Sequence, residues 1–264
     1  MNAKNRQLTS RSSRRSVLKG TIVGATGLAA TGGIAAGAFF VAAKSSGSTG
    51  AHAAGADDSY SYNHYNSPDS IQTILNVAAT AETLAVTFYK NVLNNADRLD
   101  LGNTARKDLQ AALVEEAIHL AFLKKQGAKP LTTRFSFPYG WDTFHRFDRF
   151  IKTQQLLEAH FVAAYLAAVK EFAMLNRPDL ALVASQIGGV EAEHRAVGRA
   201  IGGMTPANNR VFETALLNKV SDAVTALKKN GFLSPSHNSY WDYSDYDWDD
   251  SGLSGTDPSD QDLS

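Results

Sequence analysis

The chain of 264 residues contains no cysteine, and its acidic and basic residues cancel to a formal net charge of zero. Without cysteine, a disulfide framework, a thiolate metal site, an iron–sulfur cluster and a lipid-modified cysteine anchor are all excluded. Any transition metal must therefore be held by nitrogen and oxygen ligands. The sequence also lacks a flavin or haem signature, so an electron donor would have to be a separate molecule.

The neutral total conceals a separation of charge along the chain. Residues 1–53 carry seven basic residues and no acidic one, whereas residues 234–264 carry eight aspartates and no basic residue. The part between them is almost balanced. Because a nucleic-acid-binding surface needs concentrated positive charge, we expect no nucleic-acid partner for this middle part.

Paired arginines near the beginning of the chain precede a weakly apolar run that is rich in glycine, alanine and threonine. The stretch "SRRSVLKG" (Ser13 to Gly20) and the run after it resemble a bacterial twin-arginine export signal, and Ala51–Ala53 offers a small-residue cleavage site. The resemblance predicts that residues 1–53 are a signal peptide and that the protein is periplasmic, cell-wall-associated or extracellular. Membrane attachment is the alternative if the signal stays uncleaved, although so many glycines and threonines make a poor anchor.

Two further segments are expected to lack a packed core. Residues 54–66 are polar and show no hydrophobic periodicity, which predicts a flexible linker. Residues 234–264 are rich in serine, aspartate and tyrosine, and they cannot bury enough apolar surface to fold alone. We therefore predict a disordered acidic tail that keeps the protein solvated. Binding of cations, of a cell wall or of a partner protein is the alternative function of this tail.

Between these segments every long stretch has helical periodicity, and strand-like alternation is scarce. The first predicted helix has Ser67 as its N-cap and Pro68 as its first residue. The connection between the second and third helices is far longer than the others, which predicts an all-α four-helix bundle with one long crossover at residues 67–203. A fifth, C-terminal helix is predicted within residues 204–233. The helix ranges are 68–95, 103–126, 150–175, 178–201 and 206–230.

Acidic residues interrupt the apolar stripe of each of the first four predicted helices. The second and fourth helices carry a Glu-x-x-His pair, whose two side chains share one helix face, and the first and third carry a single glutamate. These six candidate ligands are Glu82, Glu116, His119, Glu158, Glu191 and His194.

The spacing of these residues repeats between the two halves of the chain. The lone glutamate and the glutamate of the following Glu-x-x-His are 34 residues apart in the first half and 33 in the second. A bundle with this repeat would bring four carboxylates to one level, where desolvation and repulsion each cost roughly several kcal/mol. Two metal cations would remove that cost. The predicted roles are Glu116 and Glu191 as bridges, Glu82 and Glu158 as ligands to one ion each, and His119 and His194 as nitrogen ligands.

These features resemble the ferritin-like superfamily over about residues 68–203. The stretch from His160 to Gly203 and the crossover "GAKPLTTRFSFP" are similar to the branch that includes desiccation-related proteins. The resemblance implies two iron ions, with manganese as the alternative metal, and dioxygen or peroxide as a small-molecule substrate. Ferroxidase or peroxide-scavenging chemistry would follow. A non-enzymatic protective protein with purely structural metals stays open, and the fold is compatible with a homo-oligomer.

Several neighbouring residues are interpreted as non-ligands. Glu115 and Glu193 adjoin the predicted ligands in sequence, but helical geometry turns them away from the ligand face. We interpret them as surface or supporting groups, and a role for one of them as an extra ligand stays open. His160 lies nearly opposite Glu158 on its helix. The tyrosines seven residues after each lone glutamate are interpreted as core residues, with hydrogen bonding to the ligands or radical quenching as the alternative.

Overall fold

A computed structural model describes residues 67–233 and 239–247. The predicted signal peptide at residues 1–53 and the predicted linker at residues 54–66 lie outside the described residues. Six helices and one two-stranded sheet make up the described part. Their order is α1 (Ile71–Asn94), α2 (Asn103–Lys125), β1 (Arg134–Phe135), α3 (Asp142–His145), α4 (Phe147–Met174), α5 (Pro178–Ile201), α6 (Asp222–Lys229) and β2 (Trp241–Asp242).

The four long helices form two hairpins. α1 packs along α2, α4 packs along α5, and the crossover after α2 connects the two pairs. Contacts of α1 with α4 and of α2 with α5 join the hairpins into one bundle, which confirms the predicted all-α fold. α1 begins later than predicted because Ser70, rather than Ser67, caps it: the Ser70 hydroxyl accepts a hydrogen bond from the Thr73 N–H at 3.1 Å.

The first helix lies in the core of the bundle. Leu84 and Phe88 are completely buried, and burying a side chain of this size stabilises the fold by roughly 1.5–3 kcal/mol. By length and composition α1 could cross a membrane, but 72% of its most apolar window is buried inside the bundle. Among the described residues, α1 is the one helix that is long and apolar enough to cross a membrane. Its extensive burial is typical of a helix in the core of a bundle.

The C-terminal helix, predicted over residues 206–230, is limited to α6, and the residues before it are irregular. Phe212 and Leu216, which are apolar residues within the predicted range, are 87% and 49% exposed. Because these side chains find no groove on the bundle, packing does not stabilise a helix there, and most helical stability comes from such packing.

The prediction of a disordered tail is wrong for residues 239–247. β2 pairs with β1 in antiparallel register, so that Trp241 lies opposite Phe135. Trp241 is 7% exposed and packs edge-on against Phe137 and Phe144, with ring centroids 5.1 and 5.3 Å apart. Residues 239–247 do not fold alone: aromatic residues of the crossover and α3 supply the apolar surface that this segment lacks. The rest of the predicted tail lies outside the described residues.

Candidate metal centre

The six predicted ligands meet inside the bundle. The two lone glutamates come from α1 and α4, and the two Glu-x-x-His pairs come from α2 and α5. All four glutamates are at most 1% exposed. The side chain of His194 is 4% exposed and that of His119 is 12% exposed. The centre is therefore sealed from bulk water except at one imidazole.

The ligands form two overlapping groups, and in each group one ligand atom per residue lies within 4.8 Å of the others. Two glutamates, one from each Glu-x-x-His, belong to both groups, as expected of carboxylates that bridge two ions. The groups are Glu82, Glu116, His119 and Glu191, and Glu116, Glu158, Glu191 and His194.

Both histidines direct the same ring nitrogen toward the shared carboxylates. His119 Nδ1 lies 3.6 Å from an oxygen of Glu116 and 3.6 Å from one of Glu191. His194 Nδ1 lies 3.1 Å from Glu116 and 3.5 Å from Glu191. The sequence repeat is thus reproduced in space as two similar halves around a common pair of carboxylates.

Eight buried side-chain atoms of these residues have no hydrogen-bond partner in the described part of the chain. A buried polar atom without a partner costs about 1–3 kcal/mol, so a cluster of eight is unfavourable unless cations bind there. Carboxylate oxygen and imidazole nitrogen are donors that suit iron and manganese. The residues therefore fit two such ions, with four donor atoms for each. The atoms are Glu82 Oε2, Glu158 Oε2, both Oε atoms of Glu116 and of Glu191, and Nδ1 of His119 and of His194.

A tyrosine hydroxyl donates a hydrogen bond to the other carboxylate oxygen of each lone glutamate. Tyr89 of α1 donates to Glu158 Oε1 on α4, and Tyr165 of α4 donates to Glu82 Oε1 on α1. Each hydrogen bond crosses between the hairpins and leaves the second carboxylate oxygen free for a cation. The hydrogen-bonding interpretation of the matched tyrosines is confirmed, and radical quenching stays a prediction.

Burial and mutual charge strongly perturb the ionisation of the cluster. Burial, reinforced by the neighbouring carboxylates, raises the pKa of Glu116, Glu158 and Glu191. Burial acts to lower the pKa of His119, but the surrounding carboxylates outweigh it and raise that pKa to about 10. The pKa of His194 is raised well above its usual value in the same way. Metal binding at this centre must therefore displace protons.

Glu115 lies beside the centre rather than inside it. Its side chain is 34% exposed, and one carboxylate oxygen lies 2.7 Å from His194 Nε2, the ring nitrogen that faces away from the cluster. This contact agrees with a supporting group. Glu193 is exposed, and His160 binds a backbone carbonyl of its own helix and the side chain of Asn230 instead of the cluster.

Gln154 is the site residue that the sequence did not reveal. It is completely buried, and its amide donates to the backbone carbonyl of His194 at 2.8 Å and to the Tyr89 hydroxyl at 3.3 Å. A Cβ atom at Gly198 would lie 1.9 Å from Gln154 Oε1, so the glycine makes room for this side chain. The available signal was a polar residue in an apolar stripe, one turn before Glu158.

The family model of the ferritin-like domain matches residues 70–203. That range includes the four bundle helices and all six predicted ligands. No curated protein and no solved structure matches the chain.

Proposed function

The chain belongs to the ferritin-like domain family, and on that basis we propose that it binds two iron ions and oxidises Fe(II) with dioxygen or peroxide. The observation that carries this proposal is the set of eight buried, unpartnered ligand atoms contributed by all four bundle helices. Manganese suits the same donors, and a two-manganese centre acting on peroxide is the variant that metal analysis would distinguish.

The side chains have separable roles in this proposal. Two iron ions at the centre would supply the electrons that reduce dioxygen or peroxide. Glu116 and Glu191 would contact both ions, and the two tyrosines keep the lone glutamates aimed at the centre. Burial excludes bulk water and strengthens every charge interaction inside. The protons displaced from these side chains by metal binding would pass to solvent or to the reduced oxygen.

A non-enzymatic function is the second candidate. The ligands come from both hairpins, so bound cations would hold α1, α2, α4 and α5 together without any reaction. A protein of this kind would protect against desiccation or similar stress, as the sequence similarity to desiccation-related proteins suggests. Metal binding alone therefore does not separate the two candidates.

The separating experiment uses the full chain purified without oxygen. Fe(II) is added at two equivalents, the solution is mixed with dioxygen or with peroxide, and the rise of Fe(III) absorbance is followed. We expect oxidation faster than in buffer and faster than in a chain with Glu116→Ala and His194→Ala, while Glu193→Ala, an exposed glutamate on α5, serves as the matched control. Metal binding without accelerated oxidation would support the structural function, and no binding would contradict both.

We also propose that the protein is exported to the periplasm, the cell wall or the medium. The support is the paired-arginine stretch and the small residues at Ala51–Ala53. To test export, the full chain is expressed in a bacterium with a twin-arginine system, and mass spectrometry identifies the N-terminus of the purified protein. We expect cleavage near residue 53 and loss of export after Arg14→Lys and Arg15→Lys. An intact chain that stays inside the cell would contradict export.

A further inference from the structure

The two halves of the centre differ at a position beside the ligands. We define the His194 half as Glu158 with His194 and the His119 half as Glu82 with His119, the two bridging glutamates being common to both. Glu115, immediately before the Glu-x-x-His of α2, places its carboxylate 2.7 Å from Nε2 of His194. The corresponding position on α5 is Val190. Nε2 of His119 has no hydrogen bond to any described residue, and this side chain is 12% exposed.

A second difference lies one turn away along the helices. In the His194 half, Gln154 fills the space left by Gly198 and donates to the backbone carbonyl of His194. The corresponding positions in the His119 half are Ala78 and Leu123. Both of these line an apolar cavity in which no buried amide is present. The backbone of His119 therefore lacks the support that Gln154 gives to His194.

These contacts affect how well each imidazole is prepared for a metal. A carboxylate beside Nε2 accepts a hydrogen bond from the N–H there, so the neutral ring presents the lone pair of Nδ1 to the cluster. The contact also fixes the ring orientation. Removing such a partner typically lowers metal affinity by about 10–100-fold. We propose that the two halves bind metal unequally: the His194 half, held by Glu115 and Gln154, fills first and keeps its ion, and the His119 half exchanges its ion with solvent. This inference rests on the proposed two-metal centre.

Titration of the full chain with Co(II) in the absence of oxygen tests the inequality, because ligand-field absorption reports each binding step. We expect two equivalents with a tighter first step. Repulsion between two cations makes the second affinity lower than the first in any such centre. The test therefore depends on how the variants change each affinity. Glu115→Gln keeps the side-chain size but removes the charge, and we expect it to weaken the first step by about 10–100-fold. Glu193→Gln, on the exposed face of α5, should leave both steps unchanged.

The reciprocal variant is Val190→Glu, which places a carboxylate where the His119 half lacks one. We expect it to tighten the second step and to bring the two affinities together. If Glu115→Gln leaves the first binding step unchanged, or weakens both steps equally, the two halves do not bind metal unequally in the way proposed. Normal binding of two Co(II) ions in such a result would still support the two-metal centre. A parent chain that binds no Co(II) would overturn both. Far-UV circular dichroism shows whether each variant is folded before it is titrated.

Discussion

Without metal, the stability of the bundle should fall as the pH rises. The pKa of His119 is raised from 6.5 to about 10, and the pKa values of His194, Glu116, Glu158 and Glu191 are raised as well. The folded chain therefore binds more protons than the unfolded chain. Groups of this kind stabilise the fold fully below their unfolded pKa, and the stabilisation is lost as the pH rises through their folded pKa.

The size of the effect follows from the number of extra protons. Each one lowers the free energy of unfolding by about 1.4 kcal/mol per pH unit. Above pH 6.5, His119 in the folded chain keeps a proton that the unfolded chain loses, and His194 adds up to one more. We therefore expect a loss of about 1–3 kcal/mol per pH unit between pH 7 and 9, with each kcal/mol lowering the Tm by about 2–4 °C.

Urea unfolding followed by far-UV circular dichroism in the presence of a chelator measures this dependence. The matched control is the same chain with excess metal. Deprotonated ligands bind cations better, so the stability of the loaded chain should rise over the same pH range. A metal-free chain whose stability is flat or rises between pH 7 and 9 would refute the proposed arrangement of charges.

Three substitutions test individual contacts, and a fourth serves as a control. Tyr165→Phe leaves an oxygen of Glu82 buried without a donor, and urea denaturation of the metal-free chain should show a loss of about 1–3 kcal/mol; unchanged stability would mean that this hydrogen bond is absent. Gly198→Ala pushes a methyl group into the glutamine amide beside it and should cost about 1–3 kcal/mol. At Gly189 on the same helix an added Cβ meets nothing within 4 Å, so Gly189→Ala should gain about 0.5–1 kcal/mol, and equal effects of the two substitutions would contradict the close packing. Trp241→Ala should lower the free energy of unfolding by about 3–5 kcal/mol, and an unchanged thermal midpoint would show that the tail does not pack on the crossover.

The grouping of the six predicted ligands was predictable from the sequence because the geometry that sets it is largely local. Residues three apart on a helix share a face whatever the rest of the fold does, so each Glu-x-x-His pair was certain to point one way. The spacing from each lone glutamate to the following Glu-x-x-His, 34 and 33 residues, then indicated a common level. An error in the start of α1 did not matter, since Glu82 lies well inside that helix.

The supporting contacts were less predictable because they depend on how neighbouring helices approach each other. Helical geometry turns Glu115 away from its own ligand face, yet His194 extends from another helix to meet it. The role of Gln154 likewise requires a glycine on the facing helix. Trp241 lies in a low-complexity tail, and the aromatic side chains that bury it, Phe137 and Phe144, are 104 and 97 residues away in the chain.

The most direct test of the metal centre is a crystal structure of the chain loaded anaerobically with Fe(II), with anomalous scattering recorded at the iron edge. We expect two anomalous peaks about 3.5–4 Å apart, both within bonding distance of Glu116 and Glu191, with His119 bound to one and His194 to the other. A well-ordered bundle with no peak between these two glutamates would contradict the account.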